Sequence, residues 1–434
     1  MSLILFAALL SAGRVVTLEE ALRSARERQP QLRQARAAAE AASARAREAF
    51  APMLPQLTAT AGYQRTTANA ITRPGAASVP PRICPTATDP TAPCSPWTTF
   101  NSWSDNVSAT LLLWDWGGAP YKWKAAEAQA DALVAQERVT ALQVDFTVRS
   151  AYFDARANKA LVQVAQDTLR NQLQHLRQTE GFVKAGTHPE IDLVQARTDT
   201  ANARVSLINA ENTYETSKVT LNVAMGVLGP TDYDVSDDAM AAVAGEDAEV
   251  GPLLEEANKS RPEVENLEKI VRADELTVRS IEGAYLPALS ASAGFTQGGT
   301  NPWHMGWNGN VGLSLSWGLF QGGLTRAQVQ EAEANVGGEI AALDLLRQQL
   351  RSDVEAARLA LRAAKATISA TQEALTNAKE RLRLAEQRYA VGVGSAIELG
   401  DAQVALTQAA AQAVQADDKL STARAQLLRA LGRP

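Results

Sequence analysis

Two matching segments decide the fold predicted for this chain. Residues 54–63 read Leu-Pro-Gln-Leu-Thr-Ala-Thr-Ala-Gly-Tyr, and residues 286–295 read Leu-Pro-Ala-Leu-Ser-Ala-Ser-Ala-Gly-Phe. The segments match position by position, and in both, Leu, Ala and an aromatic residue alternate with Ser, Thr and Gly. A period of two residues is typical of a β-strand with one apolar and one polar face. The repetition indicates that the chain contains two copies of one structural unit.

The helical segments of the chain follow the same duplication. Residues 18–50 have a helical pattern that begins after Thr17 as a cap, and residues 253–284 repeat it. The offset that aligns Leu54 with Leu286 also aligns Pro30 with Pro262. A proline inside a helical pattern marks either a kink or a break between two shorter helices, and the sequence leaves both open.

A β-hairpin and a long helical hairpin are predicted after each of these helical segments. The β-hairpins span residues 55–114 and 287–319, and the long helical hairpins span residues 119–226 and 324–432. The longest helices, at about 1.5 Å per residue, reach roughly 100 Å, a length typical of coiled coils and not of a globular core. An acidic stretch rich in Ala, Asp and Gly, residues 229–250, links the halves.

The predicted domain organisation is therefore two repeats, residues 14–228 and 251–434, on either side of this linker. Before them, residues 1–13 contain a short apolar run followed by small residues, which predicts a secretory signal peptide, with a buried N-terminal helix as the alternative. Two cysteines, Cys84 and Cys94, lie in a proline-rich insert of the first hairpin. In an exported protein such a pair is most simply a disulfide, and two free thiols are the alternative.

Composition and motifs exclude several classes of function. A net charge of -6 provides no basic surface, so no nucleic-acid partner is predicted. The sequence contains no nucleotide-binding loop, no metal-ligand cluster and no nucleophile with an adjacent base, so we predict no cofactor, no bound metal and no enzymatic activity. The three histidines, His175, His188 and His304, fall on a helix, a turn and a hairpin, and nothing in the sequence brings them together.

The tryptophans are concentrated around the hairpins, and none is expected in the long helices. Six are predicted to lie at a membrane interface: Trp103, Trp114, Trp116, Trp303, Trp307 and Trp317. Alternating strands with aromatic ends are typical of outer-membrane barrels, and a soluble sheet with a tryptophan core is the alternative. Four strands cannot enclose a lumen, and lipid does not tolerate an open sheet edge. Several chains must therefore contribute strands.

Several motifs, taken in order, resemble the TolC family of outer-membrane efflux and secretion channels. Residues 113–118 (Leu-Trp-Asp-Trp-Gly-Gly) and 319–323 (Leu-Phe-Gln-Gly-Gly) look like the hairpin exits of the family. Residues 388–392 (Arg-Tyr-Ala-Val-Gly) and 397–402 (Ile-Glu-Leu-Gly-Asp-Ala) look like its tip motif. Each motif is weak alone, but together with the duplicated order of elements they extend the resemblance over nearly the whole chain.

This resemblance implies an internally duplicated, mixed α and β fold that assembles as a homotrimer. Four strands per chain would form a 12-stranded transmembrane β-barrel, and the coiled-coil hairpins would form an α-helical barrel reaching from the bacterial outer membrane into the periplasm. Such a channel is a passive exit duct that contacts outer-membrane lipid, a periplasmic adaptor (a membrane fusion protein) and an inner-membrane pump. We expect export of small molecules. A type I protein secretion duct and a periplasmic coiled-coil scaffold or adaptor are the alternatives.

The resemblance also points to functional residues at the turns between the long helices, which we call the tips. Glu398 and Asp401 match the acidic constriction of the family, and their spacing of three positions puts them on one helix face. A trimer would place six carboxylates around one aperture, a ring expected to bind multivalent cations. The alternative is that both are ordinary acids near a helix N-terminus.

A latch that closes the tips is also implied by the resemblance. Asp192 and Tyr389 are the candidate pair, joined by a hydrogen bond. Some family members have an arginine just after the tip glycine, where this chain has Gly394, so part of the usual latch is absent. Gly186, Gly392 and Gly394 are predicted turn formers, and the resemblance makes their turns the expected contact with the adaptor.

Overall fold

A computed structural model describes residues 14–67, 95 and 97–434. The predicted signal peptide at residues 1–13 and the predicted disulfide between Cys84 and Cys94 lie outside the described residues.

The order of helices and strands repeats along the chain. The first half contains β1 (Arg14–Val16), α1 (Leu18–Arg28), α2 (Pro30–Phe50), β2 (Gln56–Thr67), β3 (Thr99–Trp114), α3 (Gly118–Lys184) and α4 (Glu190–Met225). The second half contains β4 (Tyr233–Val235), α5 (Val250–Ser260), α6 (Pro262–Glu282), β5 (Ala288–Gly299), β6 (Gly306–Ser316), α7 (Leu324–Ala390) and α8 (Ala396–Ala430). One offset relates the starts of α1 and α2 to those of α5 and α6, and a second, smaller offset relates α3 and α4 to α7 and α8. The predicted duplicated, mixed α and β fold class is confirmed.

The two aligned prolines mark breaks between helices and not kinks. Gln29 ends α1 and Arg261 ends α5, each with an extended backbone at ψ 121. Pro30 and Pro262 then occupy the first position of the next helix, where the missing N–H of proline costs no hydrogen bond.

The chain folds into two compact units, and each unit takes segments from both repeats. The helical unit comprises the described residues up to Ala41, Asp131–Lys269 and Glu339–Pro434, and the β unit comprises Ala42–Ala130 and Ile270–Gly338. Compact units and sequence repeats are therefore different divisions of the chain. The division into two repeats stays a prediction about how the chain is built.

In the helical unit, the segment between the repeats is held by strand pairing and by buried charges. β4 pairs in parallel with β1, with Val16 opposite Val235. Farther along, the buried Glu246 forms ion pairs with Arg424 at 3.1 Å and Lys365 at 2.7 Å. Burial would raise the pKa of Glu246, but hydrogen bonds from these cations and from a backbone N–H lower it to about 2. This segment is thus an integral part of the helical unit.

The β unit contains a four-stranded antiparallel sheet in the order β2, β3, β5, β6. One face is mainly apolar, and its apolar members are Leu57, Ala59, Ala61, Tyr63, Trp103, Val107, Ala109, Leu111, Trp114, Leu289, Ala291, Ala293, Phe295, Trp307, Val311, Leu313 and Leu315. The polar and glycine members of this face are Arg65, Thr67, Thr99, Asn101, Asp105, Gln297, Gly299 and Gly309. The opposite face carries small polar residues and glycine: Thr58, Thr60, Gly62, Ser104, Asn106, Ser108, Thr110, Ser290, Ser292, Gly294, Thr296, Asn308, Asn310, Gly312, Ser314 and Ser316. None of the paired positions on this opposite face holds a charged residue.

A bulge in β3 changes which aromatic residue lies on the apolar face. The pairing with β5 shifts between Leu112 and Trp114, so that Leu113 has no partner and Trp114 lies opposite Leu289. Strict two-residue alternation predicts Leu113 as the next residue on the apolar face after Leu111, but the bulge inserts one extra residue, so that Trp114 is the paired residue on that face. As a result, the apolar face ends in a tryptophan at this end of β3.

The six tryptophans predicted for a membrane interface are all exposed in the β unit. Their exposed fractions are 36% for Trp103, 59% for Trp114, 50% for Trp116, 87% for Trp303, 73% for Trp307 and 55% for Trp317. Rings also meet across strands: the Tyr63 and Trp103 centroids are 4.6 Å apart. The expectation that no tryptophan lies in a long helix is wrong, since Trp123 belongs to α3 and packs against Phe50 at 5.2 Å.

Candidate functional site

Both tips of the helical unit use the same helix ending. At the end of α3, Thr187 N–H donates to the Phe182 carbonyl and Gly186 N–H donates to the Val183 carbonyl, each at 3.0 Å. Gly186 adopts φ 75, a left-handed conformation that costs little for glycine. These paired hydrogen bonds satisfy carbonyl groups that a helix end leaves free. Gly186 is thus a turn former.

The tip between α7 and α8 has the same hydrogen bonds and one additional close approach. Gly392, at φ 77, donates to the Tyr389 carbonyl at 3.0 Å, and the N–H groups of Val393 and Gly394 both donate to the Arg388 carbonyl. A Cβ on Gly394 would lie 3.0 Å from the Arg388 carbonyl carbon and the Tyr389 nitrogen. A Cβ on Gly394 would therefore press on the backbone of the turn, whereas Gly392 is favoured by its left-handed backbone conformation.

Replacing Gly394 with alanine should loosen this tip. The added methyl group contacts backbone atoms that cannot move without breaking the turn, so we expect a cost of about 1–3 kcal/mol. Hydrogen–deuterium exchange of peptides covering residues 388–398 should speed up accordingly. Gly400→Ala is the matched control, because Gly400 lies in α8 with no atom within 4 Å of its added Cβ. Alanine there should slow exchange, and equal exchange in both variants would contradict this role of Gly394.

The two acids of the predicted ring have different surroundings. Glu398 is the third residue of α8, and its N–H donates to the capping hydroxyl of Ser395 at 3.1 Å. Its carboxylate lies 3.5 Å from Arg388 Nε across the turn. Asp401 is exposed and has no ion-pair partner in the part of the chain that the structure describes. A capping role near the helix N-terminus therefore accounts for Glu398, but it does not account for Asp401.

The candidate latch residues lie in the same region without forming their hydrogen bond within one chain. Tyr389 is only 3% exposed, and its hydroxyl has no hydrogen-bond partner among the described residues. Burial raises the pKa of Tyr389, the hydroxyl of the fully buried Thr179 lowers it, and the carboxylate of Asp192 raises it. The two hydroxyl groups are thus neighbours, although neither forms a hydrogen bond of normal geometry within the described chain. The latch between Asp192 and Tyr389 stays a prediction.

The structure brings two histidines together at the same tyrosine. His175 in α3 meets the Tyr389 ring edge-on at 5.3 Å, and His188 in the turn after α3 meets it at 5.2 Å. Phe182 stacks on His188 at 4.8 Å. We call His175, Phe182, His188 and Tyr389 the tip aromatic cluster. The expectation that no histidines converge is therefore wrong for His175 and His188, because packing of α3 against α7 decides it and sequence spacing does not.

A cavity of about 370 Å³ adjoins the tip aromatic cluster. His175, Phe182 and Tyr389 line it, together with Arg383 and Glu386 of α7. Groups of three or more His, Cys, Asp or Glu side chains arranged to hold a metal ion do not occur among the described residues. Likewise, no helix in the described ranges is long and apolar enough to cross a lipid bilayer.

Comparison with known proteins identifies the family. The family described as "Outer membrane efflux protein" matches residues 21–227 and 253–433. The chain belongs to the outer membrane efflux protein family. The two matched segments leave out most of the stretch between the repeats, in agreement with the duplicated order of elements.

Members of the outer membrane efflux protein family that are similar to this chain are named as components of efflux pumps. The "Probable efflux pump outer membrane protein TtgC" of Pseudomonas putida is 24% identical over 307 residues, 68% of this chain and 61% of TtgC. The "Solvent efflux pump outer membrane protein SrpC" of Pseudomonas putida is 26% identical over 298 residues, 66% of this chain and 61% of SrpC. The matches thus span less than two thirds of the length of these family members.

A solved structure extends the likeness to nearly the whole chain. The outer membrane protein VceC of Vibrio cholerae superposes with a TM-score of 0.80 at 18% sequence identity, and the alignment covers 96% of both chains. This likeness shows that the two proteins share a fold. The relatives TtgC and SrpC are described as outer membrane proteins of efflux pumps.

Proposed function

We propose that the protein is the outer-membrane channel of a tripartite efflux system, a passive exit duct assembled from three copies of this chain. The observation that carries this proposal is the four-stranded sheet, which has one apolar face, one uncharged polar face and two free edges. Neither β2 nor β6 has a second strand partner among the described residues. A sheet of this kind cannot be stable in lipid alone, because its edge groups would be unpaired.

Pairing between copies removes both free edges. Strand direction alternates in the order β2, β3, β5, β6, so β6 of one copy and β2 of the next copy run antiparallel. Each added copy continues the alternation, and the ring closes when the last β6 meets the first β2. Three copies provide the 12 strands that the family resemblance implies. The polar faces then line the lumen and the apolar faces contact lipid.

The spacing of tryptophans along β3 supports a membrane position for this sheet. Trp103 and Trp114 lie on the same apolar face near opposite ends of β3, with one bulged residue between them. Without the bulged residue, Trp114 lies ten residues along the strand from Trp103, and a rise of about 3.3 Å per residue gives roughly 33 Å. A strand tilt of about 40° reduces this to about 25 Å, the height of the apolar band of outer-membrane barrels.

The uncharged polar face supports a passive conduit and not an enzyme. Its hydroxyl, amide and glycine positions provide a wetted wall without a catalytic group or a fixed charge. We infer small-molecule cargo because relatives are named for antibiotic, toluene and solvent efflux. A type I protein secretion duct of the same fold and a periplasmic coiled-coil scaffold remain the alternatives, distinguished by cargo and by cell fractionation.

At the tips, we propose that Glu398 and Asp401 form the acidic ring and that the exposed apolar residues of the turns contact the periplasmic adaptor. Val391, Val393 and Ile397 have exposed fractions of 72%, 69% and 75%. Apolar side chains with this exposure favour contact with another protein. The adaptor would in turn join the channel to an inner-membrane pump.

Detergent extraction and mass measurement test this assembly. Full-length protein should fractionate with the outer membrane and give three times the chain mass by native mass spectrometry. The extracted protein should also conduct ions in planar bilayers. A monodisperse soluble monomer in the periplasmic fraction would support the scaffold alternative and contradict the channel.

A further inference from the structure

The tip aromatic cluster links separate elements of the helical unit. His175 and Phe182 belong to α3, His188 to the turn after it, and Tyr389 to the last turn of α7. Both imidazole rings and Phe182 contact the Tyr389 ring, with centroid distances of 5.2 to 6.2 Å. Tyr389 is in addition part of a small apolar core with Leu382 and Leu399. The cluster therefore fixes the α7–α8 tip against the end of α3.

The imidazole of His175 is poorly suited to carry a charge in this position. Its Nδ1 atom is buried and has no hydrogen-bond partner in the described part of the chain. The ring meets that of Tyr389 edge-on at 5.3 Å. In the imidazolium both ring nitrogens carry a proton, so Nδ1 would be a buried donor without an acceptor, which is strongly unfavourable.

Charged groups surround His175 on two other helices. The carboxylates of Asp192 and Asp199 in α4 electrostatically favour the protonated form of the imidazole. Arg383 and Glu386 of α7 line the adjacent cavity, and Arg383 is already paired with Glu380 at 2.8 Å. Leu399 and Gln403 of α8, whose side chains are uncharged, also line this cavity. Charge compensation for an imidazolium is therefore available from the α4 carboxylates and, in the cavity, from Glu386, whose own pKa is raised by burial.

We propose that protonation of His175 releases the tip aromatic cluster and thereby loosens the tips, so that acid pH opens the end of the channel. The imidazolium moves out of its edge-on contact with Tyr389 and into the adjacent cavity, which Glu386 lines and where its N–H groups can be solvated. Tyr389 then loses a contact that holds the end of α7. The opening step rests on the proposed channel function, whereas the loosening of the tips does not.

The direction of this pH dependence follows from burial. Burial lowers the pKa of His175 below its ordinary value of 6.5, and the carboxylates of Asp199 and Asp192 offset this only in part. A group whose pKa is lowered in the packed state stabilises that state fully above the ordinary pKa, and it stabilises it less as pH falls. The cluster is thus packed at neutral pH and weakens below about pH 6.5. One titrating group changes the ratio of packed to released forms by at most about tenfold per pH unit.

Hydrogen–deuterium exchange on the full-length trimer tests the loosening directly. Peptides covering residues 182–192 and 388–398 are compared between about pH 7.5 and about pH 5.5, after correction for the chemical exchange rate. We expect the corrected exchange of both tips to rise about three- to tenfold at the lower pH. In His175→Phe, which keeps a ring but cannot be protonated, both tips should exchange at one slow rate at both pH values.

Two further variants assign the effect to one histidine. His304→Phe removes the exposed histidine of the β5–β6 hairpin and should keep the full acid response. His188→Phe keeps an aromatic ring that can stack on Phe182, so this variant should also keep the full acid response. An acid response that persists in His175→Phe, or that disappears in His188→Phe alone, would overturn the proposal.

Planar-bilayer conductance then separates this proposal from the channel function. Wild-type protein should conduct several-fold more at the lower pH, and His175→Phe should not. If wild type forms no channel at either pH, the proposed function fails, while the exchange experiment still decides whether His175 controls the tips. If wild type conducts equally at both pH values although its tips loosen, the opening step is wrong.

Discussion

Replacing Ala293 with arginine is expected to remove the protein from the outer membrane, whereas the same replacement of its neighbour Ser292 is not. Ala293 lies exposed on the apolar face of β5, between Ala109 of β3 and Val311 of β6. This position is close to the middle of the apolar face between the Trp103 and Trp114 levels. An arginine facing lipid at the midplane of a bilayer costs about 2–4 kcal/mol in each chain. A trimer carries this cost three times, so the assembled barrel should not accumulate.

Ser292 is a matched control because it shares the strand, the depth and the sheet interior. Its side chain is on the polar face, between Thr110 and Gly312. In the proposed barrel an arginine there points into water in the lumen, where its charge is solvated. Ser292→Arg should therefore assemble normally and reduce cation conductance by adding three positive charges to an uncharged wall.

The measurement is the amount of trimer in the outer-membrane fraction, determined by quantitative blotting after sucrose-gradient fractionation and native electrophoresis. Ala293→Arg should give little or no trimer there and Ser292→Arg a normal amount. Equal amounts of trimer in both variants would show that this face does not contact lipid. The opposite order would show that the two faces of the sheet have been assigned the wrong way round.

Most of the fold could be predicted because its signals are local and occur twice. Strand alternation is visible within one short segment. One offset relates the short helices, the prolines and the first strands of the two halves, and a second offset relates the long helices. The bulge at Leu113 could not be predicted, because it depends on the pairing of β3 with β5, a strand from the other half of the chain. The predicted bounds of the first long helical hairpin, residues 119–226, already include Trp123, but they do not reveal its packing on Phe50.

The site divides in the same way into local and distant contacts. The conformations of Gly186 and Gly392 follow from turn chemistry that the sequence contains. The ion pair between Arg388 and Glu398 was missed but could have been found, since a short turn brings the last residues of one helix to the first residues of the next. By contrast, His175 and Tyr389 come from different halves of the chain, and their contact depends on how the long helices pack.

Replacing Asp401 with asparagine is expected to weaken block by a trivalent cation more than replacing Glu398 with glutamine. In each chain, Glu398 has Arg388 at 3.5 Å, so this carboxylate is already engaged by a guanidinium and is less free to contact the ion. Asp401 has no such partner among the described residues. In a trimer, Asp401→Asn removes three uncompensated charges from one aperture. For a trivalent ion in water and moderate salt, we expect a loss of affinity of at least about tenfold.

Arg388→Gln provides a control of opposite sign at the same place. Formally, the three residues Glu398, Asp401 and Arg388 sum to a charge of -1 per chain. Glutamine at Arg388 makes this -2, so block should become tighter and cation selectivity stronger. The two neutralising variants make the sum zero, yet Glu398→Gln also leaves a guanidinium without its partner. A larger effect of Asp401→Asn than of Glu398→Gln would therefore reflect position in the aperture and not charge number alone.

The measurement is single-channel conductance in planar bilayers, with the trivalent cation added to the side that the tips face and the affinity taken from the concentration that halves the current. Salt dependence adds a second test, because an electrostatic ring loses its effect as ionic strength rises. If both neutralising variants and Arg388→Gln leave block and selectivity unchanged, these residues do not line the constriction. Glu398 then acts only as a helix-capping residue beside Ser395, and the narrowest part of the path lies elsewhere. If only Arg388→Gln changes block, the guanidinium and not the carboxylates faces the aperture, and the tip repels cations instead of binding them.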